Sequence, residues 1–113
     1  MSDGWVDVAL VGDIPPGCAA RVEIDETPVA IFNVDGTFYA LDDTCSHAEA
    51  SLSDGDLDID RCVIECPLHG SSFDLRTGEP LSLPAVEPVR AHRIETTDDG
   101  VLRVALAAEV VAQ

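Results

Sequence analysis

The stretch CSHAEASLSDGDLDIDRCVIECPLHG, residues 45–70, decides how the rest of the chain is read. It opens on Cys45-Ser46-His47 and closes on Cys66-Pro67-Leu68-His69-Gly70, so each short segment offers one thiol and one imidazole. Four such donors can complete a metal centre. Zinc is one candidate, because two cysteines and two histidines form a common structural zinc set. Zinc fingers, however, place the cysteines on one element and the histidines on another. Mixed loops suit instead a cluster whose two irons carry different ligands. A third reading leaves the four residues without metal.

Cys-x-His paired with Cys-x-x-His, a proline after the second cysteine and a glycine after the second histidine resemble the ligand motif of the Rieske family. The resemblance covers nearly the whole chain, although only the ligand loops are highly specific. It implies one [2Fe-2S] cluster, with Cys45 and Cys66 on the inner iron and His47 and His69 on the outer one, their free ring edges near solvent. It also implies an all-β fold, in which antiparallel sheets form a base subdomain and the cluster-binding subdomain is inserted between its halves. Neutral imidazoles leave the oxidised centre without net charge, where four thiolates would leave a dianion. Reduction is therefore easier than in four-cysteine ferredoxins.

Departures from the respiratory branch of the family are informative. Ala50 and Leu68 stand where those proteins carry a further disulfide-forming cysteine in each loop, and Phe73 stands in place of a hydrogen-bonding tyrosine, while Ser71 keeps the serine. Fewer donors to the cluster stabilise its reduced form less, which places the potential toward the lower part of the Rieske range. Gly70, Gly78 and Pro84 match a tight ligand turn and a covering proline loop; for Gly78, ordinary turn punctuation suffices. Glu49 is a candidate for the docking rim or a solvated surface carboxylate.

At 113 residues the chain is expected to be a single domain, residues 1–113, with the cluster-binding part at about 42–86. A formal charge of −16, from 22 acidic against 6 basic residues, disfavours nucleic acid and anionic membranes; it suits basic protein partners and equally a role in solubility or a salt-rich habitat. No apolar run approaches the roughly 20 residues that span a bilayer, and Met1-Ser2-Asp3-Gly4 lacks the features of a signal segment. A cytoplasmic monomer is expected. Cys18 and Cys62 then read as free thiols, with Cys62 at a strand core position beside Ile64.

Strands are expected over Trp5–Leu10, where Val6, Val8 and Leu10 alternate, and over 21–24, 29–34 and 37–41. Asp13 to Gly17 and Asp25 to Pro28 read as breaks, and Asp35-Gly36 as a tight hairpin. Further on, Ser53 to Asp56 reads as a turn, Arg61 to Glu65 as a short strand delivering Cys66, and Thr77 to Pro80 as another turn. Leu83 to Pro88 reads as a covering loop. Val89 to Thr96 and Val101 to Leu106 read as a terminal hairpin about Asp98-Asp99-Gly100, and Ala107 to Gln113 as a fraying end.

The resemblance implies a soluble one-electron carrier rather than an enzyme. It would accept electrons from a flavin-containing ferredoxin reductase and pass them to a terminal ring-hydroxylating oxygenase. The chain lacks an oxygenase's own iron site, since only His92 remains once the cluster is built, and His92 reads as structural or surface. The small Rieske subunit of an assimilatory nitrite reductase is the alternative, and an iron–sulfur assembly accessory protein a weaker third.

Overall fold

A computed structural model describes residues 4–44, 50–68, 70–81 and 88–107. Among them the strands are β1 (Trp5–Leu10), β2 (Ala19–Ile24), β3 (Thr27–Val34), β4 (Thr37–Asp42), β5 (Asp56–Asp58), β6 (Val63–Glu65), β7 (Ser72–Asp74), β8 (Ala91–Thr96) and β9 (Val101–Ala105). Their pairing is antiparallel throughout. One sheet has six strands in the order β1-β9-β8-β4-β3-β2, and the other has three in the order β5-β6-β7. The architecture is the expected all-β one.

The apolar run of β3 is buried at every position from Val29 to Val34. Its alternate side chains feed two cores. Val29 and Ile31 join Ile14, Ile24, Ala40, Leu102 and Val104. Ala30, Phe32 and Val34 join Leu41, Leu52, Ile64, Cys66 and Phe73. A strand covered on both faces needs apolar residues at consecutive positions, which is why β3 shows no polar alternation. The first core draws on β2, β3, β4 and β9, so the large sheet curls until its two halves face each other. The second core lies between β3–β4 and the small sheet.

Two hairpins set the register around β3. Asp35-Gly36 joins Val34 to its partner Thr37 with φ of 53° and 95°, as expected of a two-residue turn. The preceding turn is shorter than the sequence suggests. Only Asp25 and Glu26, with φ of 50° and 68°, lie outside the strands, and Thr27 and Pro28 already belong to β3. Pro28 is tolerated because its carbonyl accepts from Asp43 N–H at 3.0 Å, so its missing donor faces β4 beyond that strand's last residue, Asp42.

Other boundaries also differ. The alternation in β1 is interrupted by a register shift between Asp7 and Ala9, so that Val8 and Ala9 both pack on the first core while Val6 and Leu10 are exposed. Trp5 lies under two guanidinium groups, 5.1 Å from Arg93 and 5.9 Å from Arg103. β6 begins at Val63, not Arg61: Cys62 is buried, but in a turn with φ of 58°. β8 begins at Ala91, not Val89. The short strands β5 and β7 were not expected at all. Leu83 to Glu87 of the expected covering loop and positions 108–113 of the expected fraying end lie outside the described residues.

Ala107 itself is tied down. Its N–H donates to His92 Nδ1 at 2.9 Å, and its carbonyl accepts from Arg90 at 3.3 Å. Because Nδ1 accepts, Nε2 carries the proton, and it donates to Asp42 Oδ1 at 2.8 Å. His92 is therefore structural, with its side chain fully buried. Arg90 adds backbone and side-chain hydrogen bonds to Asp42 Oδ2 at 3.2 and 3.0 Å. This network spans the seam at which β4 meets β8, where only Ala40↔His92 and Leu41↔Ala91 pair.

Burial alone would raise the Asp42 pKa, but the hydrogen bonds from His92 and Arg90 outweigh it and hold the carboxyl at about 2, against an ordinary 3.8. A depressed folded-state value stabilises the fold above the ordinary pKa, and that contribution is lost as pH falls from about 4 toward about 2. For this partly solvated group the contribution is about 1–2 kcal/mol. Asp42→Asn should therefore lower stability at neutral pH and flatten the acid limb of the stability curve, measured by urea unfolding across that window. An acid limb as steep as that of the unmodified protein would assign it to other carboxylates.

Candidate metal centre

The expected ligand loops leave the frame at two necks. At the first, Thr44 and Ser51 form an isolated antiparallel bridge, and Leu52 N–H donates to the Asp43 carbonyl at 2.6 Å. The chain thus departs from the end of β4 and returns to the same place at Ser51, with residues 45–49 between the two in sequence. At the second, Cys66 N–H donates to the Ser71 carbonyl at 2.7 Å, and Gly70 N–H donates to the Cys66 carbonyl at 3.0 Å. Cys66 follows directly on β6 and Ser72 opens β7, so this loop is the tip of the β6–β7 hairpin.

Cys45, His47 and His69 lie outside the described residues, as does Glu49; Cys66 is within them and is 1% exposed. The two necks nevertheless meet. Ala50, Ser51 and Asp54 from the first side and Pro67 and Leu68 from the second line one shallow recess. Ala50 and Leu68 are thus close together, but neither carries sulfur. None of Cys18, Cys62 and Cys66 is in a disulfide.

Glycines fix the approach of these segments. Gly70 has φ of 73°, the left-handed conformation that its turn requires. Gly55 is needed for a different reason: a Cβ there would run into the Glu65 carbonyl that precedes Cys66. Gly78 is more than turn punctuation, since it combines φ of 80° with a backbone so close to the Val89 carbonyl that a Cβ would clash. That contact joins the β7 turn to the segment that leads into β8.

Ser71 and Phe73 are both fully buried behind the second neck, and Phe73 shares its core with Cys66. Tyr39 in β4 borders the same core. A hydrogen bond with Cys62, reinforced by burial, pushes its phenol pKa up, so the hydroxyl stays protonated. Sequence reasoning missed Asp43, which is 1% exposed and whose Oδ1 accepts from Ser53 N–H at 2.9 Å. Nothing local in Asp42-Asp43-Thr44 marks it as buried; its contacts with Pro28, Ser53 and Arg21 come from distant segments.

Two converging necks, with Cys66 buried and Leu68 reaching solvent, fit a cluster held between loops better than a finger-type zinc site. The family model described as "Rieske [2Fe-2S] domain" matches residues 4–94. The chain belongs to the Rieske [2Fe-2S] domain family. Its centre is one [2Fe-2S] cluster, as that family implies.

Relatives agree with this membership. The chain is 45% identical over 95 residues to the 3-phenylpropionate/cinnamic acid dioxygenase ferredoxin subunit of Photorhabdus laumondii, covering 83% of this chain and 88% of the relative. Its fold is similar to that of the ferredoxin of carbazole 1,9a-dioxygenase from Nocardioides aromaticivorans IC177, with a TM-score of 0.88, 36% identity, and coverage of 93% of this chain and 100% of that one. It is also similar to a chain in the complex of reduced oxygenase and oxidised ferredoxin in carbazole 1,9a-dioxygenase, with a TM-score of 0.84, 40% identity, and coverage of 96% and 100%.

Phe73→Tyr should raise the midpoint potential by returning a hydroxyl donor to the wall behind Cys66, and Ser71→Ala should lower it. Voltammetry reads both directly. A potential unchanged in the two variants would show that neither side chain reaches the cluster sulfurs.

Proposed function

We propose that the chain is a one-electron carrier, taking electrons from a flavin-containing ferredoxin reductase and delivering them to a terminal ring-hydroxylating oxygenase. The observation that carries the reading is the pair of converging necks, which would hold a cluster at one end of a small, rigid frame. Cys45 and Cys66 would bind the inner iron, and His47 and His69 the outer one, within a cluster-binding part at about 42–86 of a single domain, 1–113. When bound, the cluster supplies one-electron chemistry at a potential raised by histidine ligation. The chain's own residues then orient and shield it: the necks fix the loops, the second core excludes water behind Cys66, and Leu68, 62% exposed, marks the face open to partners.

The relatives at 36 to 45% identity carry dioxygenase ferredoxin names, which favours the carrier over a nitrite reductase subunit. A cytoplasmic monomer is the state we propose. Among the described residues no helix is long and apolar enough to cross a membrane.

The purified protein should be red-brown and contain two irons and two acid-labile sulfides per chain, and its visible spectrum should bleach when a ferredoxin reductase and reduced nicotinamide are added. Cys45→Ser or Cys66→Ser should abolish cluster retention. Stoichiometric zinc without sulfide, or full colour in either variant, would sink the ligand assignment. With a net charge of −16, docking to basic partners should slow as salt shortens the Debye length to about 8 Å. Neutralising Glu49 or Asp54, near the proposed tip, should slow stopped-flow reduction more than neutralising Asp98 or Asp99 in the β8–β9 turn. Equal rates for the two groups of variants, insensitive to salt, would assign the charge to solubility.

A further inference from the structure

Asp43 is a buried carboxylate at the root of the first ligand loop, two residues before Cys45. Each of its polar groups is used. Its N–H donates to the Pro28 carbonyl in β3 at 3.0 Å, and its own carbonyl accepts from Leu52 N–H at 2.6 Å. Side-chain Oδ1 accepts from Ser53 N–H at 2.9 Å, and Oδ2 lies 3.5 Å from Arg21 Nε in β2. One residue therefore ties the outgoing strand, the returning chain and two strands of the large sheet to one point. Arg21, Asp43, Thr44, Ala50 and Ser51 line a small recess at this neck.

A backbone clamp alone would not require a charge, because a neutral amide oxygen can also accept from Ser53 N–H, though in a weaker bond. Burying a carboxylate costs free energy unless it is paired, and Arg21 supplies the partner from a half-exposed position. The charge pair so created sits at the root of the first ligand loop, two residues before Cys45 in sequence. Negative charge near a redox centre disfavours the added electron, and a nearby cation offsets it.

We propose that Asp43 is a positioning residue for the cluster, clamping the neck of the first ligand loop, and that the Arg21–Asp43 pair sets the cluster's potential through the balance of charge at that neck. The proposal rests on the assignment of Cys45 as a ligand. Asp43→Asn keeps the acceptor and removes the charge; Asp43→Ala removes both; Arg21→Gln leaves the carboxylate uncompensated. The clamp and the charge are thereby read separately.

Voltammetry, iron release to a chelator and amide hydrogen exchange of Leu52 and Ser53 on the intact holoprotein make the test. Asp43→Asn should shift the potential positive while iron release and exchange stay within about twofold of the unmodified protein. Arg21→Gln should shift the potential negative, by less at high ionic strength because Arg21 is solvated. Asp43→Ala should release iron several-fold faster and lose protection at Ser53. If Asp43→Ala does not fold, the opposite shifts of the other two variants still decide the electrostatic claim. Unchanged potentials in both would overturn that claim, and wild-type iron release and exchange in Asp43→Ala would overturn the clamp. Failure of the ligand assignment looks different: Cys45→Ser would keep its colour while Ser53 protection still depended on Asp43.

Discussion

Burial of β3 on both faces is the constraint on which the rest of the molecule depends. Side chains at odd positions hold the curled halves of the large sheet together, and those at even positions carry the small sheet and Cys66. A displacement of this strand by one residue would exchange the two sets and leave neither core filled. The two flanking hairpins prevent it, since each is only two residues long and each requires left-handed backbone. Asn33, the one polar side chain in the buried run, is fully engaged: its amide donates to the Ile14 carbonyl at 2.7 Å and accepts from Gly36 N–H at 2.8 Å. It thereby ties the β3–β4 turn to the segment after β1.

The site inherits its rigidity from this wall. Asp43 is anchored to β3 through Pro28 and to β2 through Arg21, and Cys66 packs into the core that β3 covers. Both ligand segments are thus fastened to the same strand by different means, one by hydrogen bonds and one by apolar packing.

Much of this was legible in the sequence because the relevant signals are local. The run from Val29 to Val34, the Asp35-Gly36 turn and the terminal hairpin each announce themselves by composition, and the mixed spacing of cysteine and histidine selects a cluster over a finger. What escaped depends on contacts between distant segments. Asp56 is expected to close a turn, yet Asp56-Leu57-Asp58 pairs along β6 from Val63 to Glu65, a partner that nothing local in the segment announces. Asp25-Glu26 carries no glycine, so its tight geometry has no compositional mark. Asp43 looks like surface until Pro28, Ser53 and Arg21 are brought around it.

The seam between β4 and β8 has a consequence for how the fold comes apart. Two paired positions and the Asp42 N–H to Arg90 carbonyl bond make a short ladder, and the halves of the large sheet are joined there also by side chains: the shared core, and the polar knot of Asp42, Arg90, His92 and Ala107. Coupling between the two halves therefore rests on the shared core and on this knot, to which Asp42 comes from one half and Arg90, His92 and Ala107 from the other. Segments that open in separate steps are often supersecondary units joined by weak borders, and this border divides β2–β4, with the root of the first ligand loop, from β1, β8 and β9. The half that bears that root is also the half whose three strands are consecutive in sequence, so its contacts are the more local ones.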